Sequence, residues 1–296
     1  MATWSQLLDQ IKKGSALTPT DLARKTALDD FAKMRNRNVV CYYSGWLQRD
    51  QSEEVSITDN DMNGLMNALC DLDRDRGLDL VLHTPGGDLA ATEAIVKYLR
   101  DCFHDDIVAI VPQMAMSAGT MIACSCKKII MGRQSSLGPT DPQYGGVAAG
   151  GVVEEFEQAI QQIEDNPASA ILWQQIIGKY PPTFLGDCEK AVIMSKTIVG
   201  DWLKTNMLSD DPEADSKIER IKKKLCDHSE SVMHNRHFSH TDLEELGLNV
   251  ELMEKDDNLQ DKILTLHHAY MITFQNSGAV KIIESSNSSS WIVQNG

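Results

Sequence analysis

Two short apolar runs, residues 78–82 and 107–111, stand out along the chain, each β-rich and set off from its polar surroundings. Runs of this length are too short for buried helices. Apart from Asp79 they are apolar throughout, without regular polar alternation, which marks parallel strands covered on both faces. Each run leads into a small-residue turn and then a helix-patterned segment. The first turn is Pro85-Gly86-Gly87, and the second is built on Met116, Ser117, Ala118 and Gly119. Residues 39–46 read as the first core strand and 280–283 as a last one.

Helical stripes account for much of the remainder. Trp4, Leu7, Leu8 and Ile11 share one face; a break over 15–21 follows, and Thr20 or Asp21 caps a second helix running through Lys33. Residues 48–57 read as a loop. Thr58 and Asp59 open a helix whose Met62, Leu65, Met66 and Leu69 fill the core. Residues 152–163 are acidic and amphipathic, and 187–208 carry Ala191, Met194, Ile198 and Trp202 on one side. Residues 217–224 form a basic helix with a solvated face, 241–248 a capped helix closed by Gly247, and 258–274 another helix. The glycine-rich stretch 145–151 reads as a substrate-binding lip or mobile loop, and 284–290 as a loose, serine-rich tail.

A strand that stops at a small-residue turn and feeds a helix holds one side chain at the sheet's edge. Ser117 is in that position. A serine hydroxyl needs a base to take its proton, and the tetrahedral intermediate needs two backbone N–H groups aimed at one point. Paired glycines let a backbone approach without Cβ interference, and the Ala118 N–H stands free at a helix start. Taken singly, the two turns also suit an ordinary βαβ unit with serine as a helix cap.

Taken in order, HTPGGDLAATEAIVKYL, MAMSAGTMIAC and SSLGPTDPQ resemble the Clp protease proteolytic subunit and signal peptide peptidase A superfamily. The motif order is most similar to the serine dehydrogenase proteinase family, over roughly residues 39–250. The resemblance implies an α/β fold, a clp/crotonase-like spiral of βαβ units, with added N- and C-terminal helices. That divides the chain into a helical extension over 1–37, a peptidase domain over 38–255 and a C-terminal helix and tail over 256–296. It also implies Ser117 as nucleophile, Gly86, Gly87 and Ala118 as the oxyanion hole, a peptide or protein substrate, no cofactor, and homo-oligomers that enclose the sites. The same fold hosts acyl-CoA chemistry, so a crotonase-like enzyme and a catalytically silent scaffold are the rival readings.

The Clp branch carries a histidine base where this chain has Gly138, Pro139, Thr140, Asp141, Pro142 and Gln143. The signal peptide peptidase branch uses a lysine further along, which places Lys179 first, Lys190 second, and Lys196 also in range. A lysine base must be neutral and so needs a dry site. His83, beside the glycines, is the rival base and a substrate contact. Asp88 lies on the same substrate side and complements the start of the following helix. His234, His237 and His240 have no cysteine or carboxylate companion at convincing spacing for a metal.

Composition narrows the partners. A formal charge of −15 argues against nucleic acid and anionic membrane surfaces. The 42% hydrophobic content suffices for a substantial core. Seven cysteines without framework spacing read as reduced thiols. No signal peptide and no run of about 20 apolar residues is visible, so a cytoplasmic enzyme without a membrane span is expected. No pyridine-nucleotide fingerprint supports the word "dehydrogenase" in the family's name.

Overall fold

The apolar runs become the middle of one mixed sheet. A computed structural model describes residues 18–49, 52–144, 147–227 and 236–294. Its strands are β1 (Asn38–Ser44), β2 (Leu78–His83), β3 (Ile107–Val111), β4 (Met114–Ala115), β5 (Lys128–Met131) and β6 (Ser136–Leu137). They continue with β7 (Gln143–Tyr144), β8 (Val147–Ala148), β9 (Val250–Leu252), β10 (Ala279–Ser285) and β11 (Ser290–Gln294). The order in the main sheet is β11-β10-β1-β2-β3-β5-β9. From β1 to β9 all neighbours are parallel, whereas β10 and β11 add an antiparallel edge.

Ten α-helices lie among the described residues. The first five are α1 (Pro19–Arg35), α2 (Asp61–Ala68), α3 (Leu89–Phe103), α4 (Ala118–Cys124) and α5 (Ala149–Asp165). The others are α6 (Ala170–Ile177), α7 (Phe184–Thr205), α8 (Ala214–Cys226), α9 (His240–Leu246) and α10 (Asp257–Asn276). Strand alternation splits the core in two. Val40, Tyr42, Leu80, Leu82 and Ala109 face α3, α4, α7 and α8; Val39, Cys41, Tyr43, Val81 and Ile110 face α1 and α10. Both faces are therefore buried, as unbroken apolar strands require. The α/β architecture and its added terminal helices match the expectation from sequence.

A third, smaller apolar cluster lies apart. Ala149, Val152 and Cys188 are its buried centre, with Phe156, Tyr180 and Phe184 packed around them. It holds α5 and the first turns of α7 together as an arm, on which α6 rests. Ile160, Ile171, Leu172 and Ile193 of this arm are all more than half exposed.

Three local expectations are corrected. The cap of α1 is Thr18, whose hydroxyl accepts from Asp21 N–H while the Asp21 carboxylate accepts from Thr18 N–H. Pro19 looked like part of a break, but proline is favoured in the first helical turn because its missing donor has no partner there anyway. The segment 48–57 is not all loop: Ile57 forms a parallel bridge with Gly87. The tail is a tight turn between β10 and β11, and Trp291 packs into the core. The helix expected over residues 4–11 lies outside the described residues. None of the described helices is long and apolar enough to cross a membrane.

Candidate active site

The carboxyl ends of β2 and β3 fix two turns side by side. Beyond β2, Thr84 bridges to β4: its N–H donates to Met114 O at 3.2 Å, and Met116 N–H donates to Thr84 O at 2.9 Å. Strand β4 also runs parallel to β6, so Met114–Ala115 is held from both sides. Ser117 comes next, at φ 50° and ψ −115°, a backbone conformation that residues with a Cβ seldom adopt. The chain turns sharply there and enters α4 at Ala118. Gly119 follows because Thr84 Cγ2 would lie 2.5 Å from a Cβ at that position. The Thr120 hydroxyl sits 2.9 Å from the carbonyls of both Ala115 and Gly138 and accepts from Gly138 N–H, tying the turn to the loop after β6.

Gly86 has φ 97°, and a Cβ there would meet Met116 O at 2.7 Å, Ser117 Cβ at 2.8 Å and Ala118 N at 2.9 Å. The glycine turn and the serine turn are thus in van der Waals contact, and only a residue without a side chain fits between them. The Gly86 N–H donates to Thr84 Oγ1 at 3.1 Å. Among the described residues, the N–H groups of Gly87 and Ala118 have no acceptor. Gly87 is exposed and Ser117 partly so, and the serine hydroxyl makes no capping bond to α4. A hydroxyl, two open amides and a helix start therefore meet at the surface.

The remaining residues singled out from the sequence lie elsewhere. Asp88 caps α3, accepting from Ala91 N–H at 2.7 Å. His83 is fully buried on the other face of the sheet, its ring 5.4 to 6.0 Å from those of Tyr43, Trp46 and His267. Burial, reinforced by His267, pulls its pKa down to about 3. Such a ring is neutral but sealed from substrate. Lys179 lies exposed in the turn after α6. Lys190 is 79% exposed and pairs with Asp187 at 3.2 Å. Lys196 pairs with Asp227. A lysine base needs a dry site; among the described residues Lys179 and Lys190 are exposed and Lys196 is held in an ion pair.

The loop after β6 braces the site from behind. Ser195 of α7 donates to Thr140 O at 2.9 Å, and the buried Asp141 accepts from Gly150 N–H at 3.3 Å at the start of α5. His237 Nδ1 lies 2.8 Å from Ser136 Oγ, His240 opens α9, and His234 lies outside the described residues. Among the described residues no three His, Cys, Asp or Glu side chains group as metal ligands. Two buried residues escaped the sequence reading, Lys281 of β10 and Asp61 of α2, whose Nζ and Oδ1 are 2.7 Å apart. The available signal was a lone charge inside the apolar stretch Val280-Lys281-Ile282-Ile283.

Fold and turns together describe an α/β protein with a serine on a strained strand-to-helix corner beside a glycine bend. The chain belongs to the ClpP-like SDH-type serine proteinase family, which it matches over residues 54–294, through α10, β10 and β11. It is 28% identical over 270 residues to the uncharacterized protein MJ0137 of Methanocaldococcus jannaschii, spanning 88% of this chain and 83% of that one. A second uncharacterized protein of that organism, MJ1495, is 28% identical over 214 residues, spanning 72% of this chain and 64% of its own length.

Proposed function

We propose that the protein is a serine peptidase in which Ser117 attacks the carbonyl carbon of a peptide bond. Its hydroxyl proton passes to a base as the Oγ–C bond forms. The oxyanion that develops accepts hydrogen bonds from the N–H groups of Gly87 and Ala118, while Gly86 supplies the close approach between the turns. The C–N bond then breaks, the base returns its proton to the leaving amine, and water hydrolyses the acyl-enzyme. The observation that carries this reading is the contact of Gly86 with the Met116-Ser117-Ala118 corner, which brings the open amides of Gly87 and Ala118 to the same rim as a strained serine.

Lys179 is the first candidate for the base and Lys190 the second. Either has to leave solvent to act, so the reading requires the arm to fold over Ser117 or a second copy of the chain to cover it. A fluorophosphonate probe tests the nucleophile directly, since attack at phosphorus forms an O–P bond and expels fluoride. Labelling at Ser117 that is lost in Ser117→Ala is the expected result; an equally labelled Ser117→Ala chain contradicts it. In the same assay, Lys179→Ala is expected to abolish labelling in the folded protein, and full labelling there moves the base to Lys190.

A further inference from the structure

Residues 55–58 belong to no strand of the main sheet, yet their backbone is held group by group. Val55 O accepts from the Ser44 hydroxyl at 2.7 Å, and Ser56 O accepts from Lys281 Nζ at 2.7 Å. Ile57 N–H donates to Gly86 O at 2.8 Å, and Ile57 O accepts from Asp88 N–H at 2.9 Å. Thr58 N–H donates to Asp61 Oδ2 at 3.0 Å. Lys281 and Asp61 are both 0% exposed, and their direct bond of 2.7 Å closes the set, with Tyr42 OH donating to Asp61 Oδ2 at 2.7 Å.

Ile57 thus brackets Gly87 from both sides, and its backbone fills the space a Gly87 side chain would need. The segment cannot move without carrying the Gly87 peptide with it. Nor does the ion pair have an obvious stabilising purpose, because two buried charges lose hydration and apolar residues of similar volume often do as well or better. What apolar residues cannot do is aim donors and acceptors at backbone groups that lack a ladder partner. The ammonium holds the carbonyl before Ile57, and the carboxylate holds the amide after it.

We propose that Lys281 and Asp61 are positioning residues for the oxyanion hole, fixing the Gly87 N–H toward Ser117 through Ser56, Ile57 and Thr58. This rests on the reading of Ser117 and Gly87 given above. Neither side chain touches substrate. Their effect is on direction: misplacing a catalytic group by about 1 Å can cost about a hundredfold in rate.

The test compares two reactions at position 117, one that builds an oxyanion and one that does not. The variant is Lys281→Met with Asp61→Asn, which leaves no unpaired buried charge; Lys281→Leu with Asp61→Asn, equally free of one, is the second variant if the first does not fold. In folded protein, fluorophosphonate labelling of Ser117 is expected to slow by about tenfold or more. In a Ser117→Cys background, iodoacetamide alkylation of the thiol needs no oxyanion donor and is expected to change by less than about twofold. Unchanged phosphonylation overturns the positioning role. Equal slowing of both reactions also overturns it, because that is general loss of the turn. A parent chain that takes no label at all overturns the reading of Ser117 itself, and this is seen before any variant is made.

Discussion

The rim around Ser117 and the arm that carries Lys179 and Lys190 are built on opposite terms. At the rim, backbone meets backbone. Glycines are required by contact, the amides that stay open have no room to turn, and a serine is held where serine is uncomfortable. On the arm, a small cluster of its own holds the helices, and both lysines stand in solvent. A strained serine and open amides can be preset by backbone contacts, whereas a lysine that is to act as a base needs burial, which neither lysine of the arm has among the described residues.

The sharpest way to break the contrast is Gly86→Ala. A methyl 2.7 Å from Met116 O and 2.8 Å from Ser117 Cβ forces the two turns apart, at a φ of 97° that alanine also resists. Labelling of Ser117 is expected to fall about a hundredfold, as when an oxyanion donor is removed. Retained labelling would mean that the turns are not coupled.

The layer beneath the rim gives the next effect. Burial holds His83 at about 3 and His267 at about 4, against an ordinary value of 6.5. Between those values the unfolded chain binds protons that the fold refuses. Stability is therefore complete above pH 6.5 and falls as the pH drops toward 4, by about 1.4 kcal/mol per pH unit for each histidine at most. Urea midpoints across this range measure the slope, and a folded His83→Gln chain is expected to be flatter.

Smaller effects sharpen the comparison. Ser117→Gly removes the strain at φ 50° and is expected to raise the unfolding free energy by about 1 kcal/mol while abolishing labelling. Lower stability would mean that the corner is not strained. On the arm, a Cβ at Gly186 of α7 meets nothing within 4 Å, so Gly186→Ala is expected to be neutral to about 1 kcal/mol stabilising, with no loss at Ser117. Thermal melts of Gly86→Ala and Gly186→Ala side by side separate a glycine needed for contact from one that is not.

Much of the rim could be read from the chain because its cause is local. Residues 78–82 and 107–111 are too apolar to sit at a surface and too short for helices, and each runs into a turn of small residues. What was illegible depends on distant partners. Residues 284–290 look like a loose polar tail until β11 pairs with β10 and Trp291 enters the core. Lys281 reads as one polar position in a strand, and only Asp61, 220 residues away, makes it a buried brace for Ser56. The three candidate lysines differ in nothing that local pattern records, since what decides a base is the surroundings it acquires. Pro19 differs for the opposite reason: a strong local signal for a break also suits the first position of a helix, and that is where it lies.

A structure of the fluorophosphonate adduct tests the central claim most directly. The expected result is a bond from phosphorus to Ser117 Oγ, with the phosphoryl oxygen about 2.7–3.1 Å from both the Gly87 and Ala118 nitrogens. Phosphorus bound elsewhere, or an adduct at Ser117 whose oxygen points away from those two amides, would contradict it.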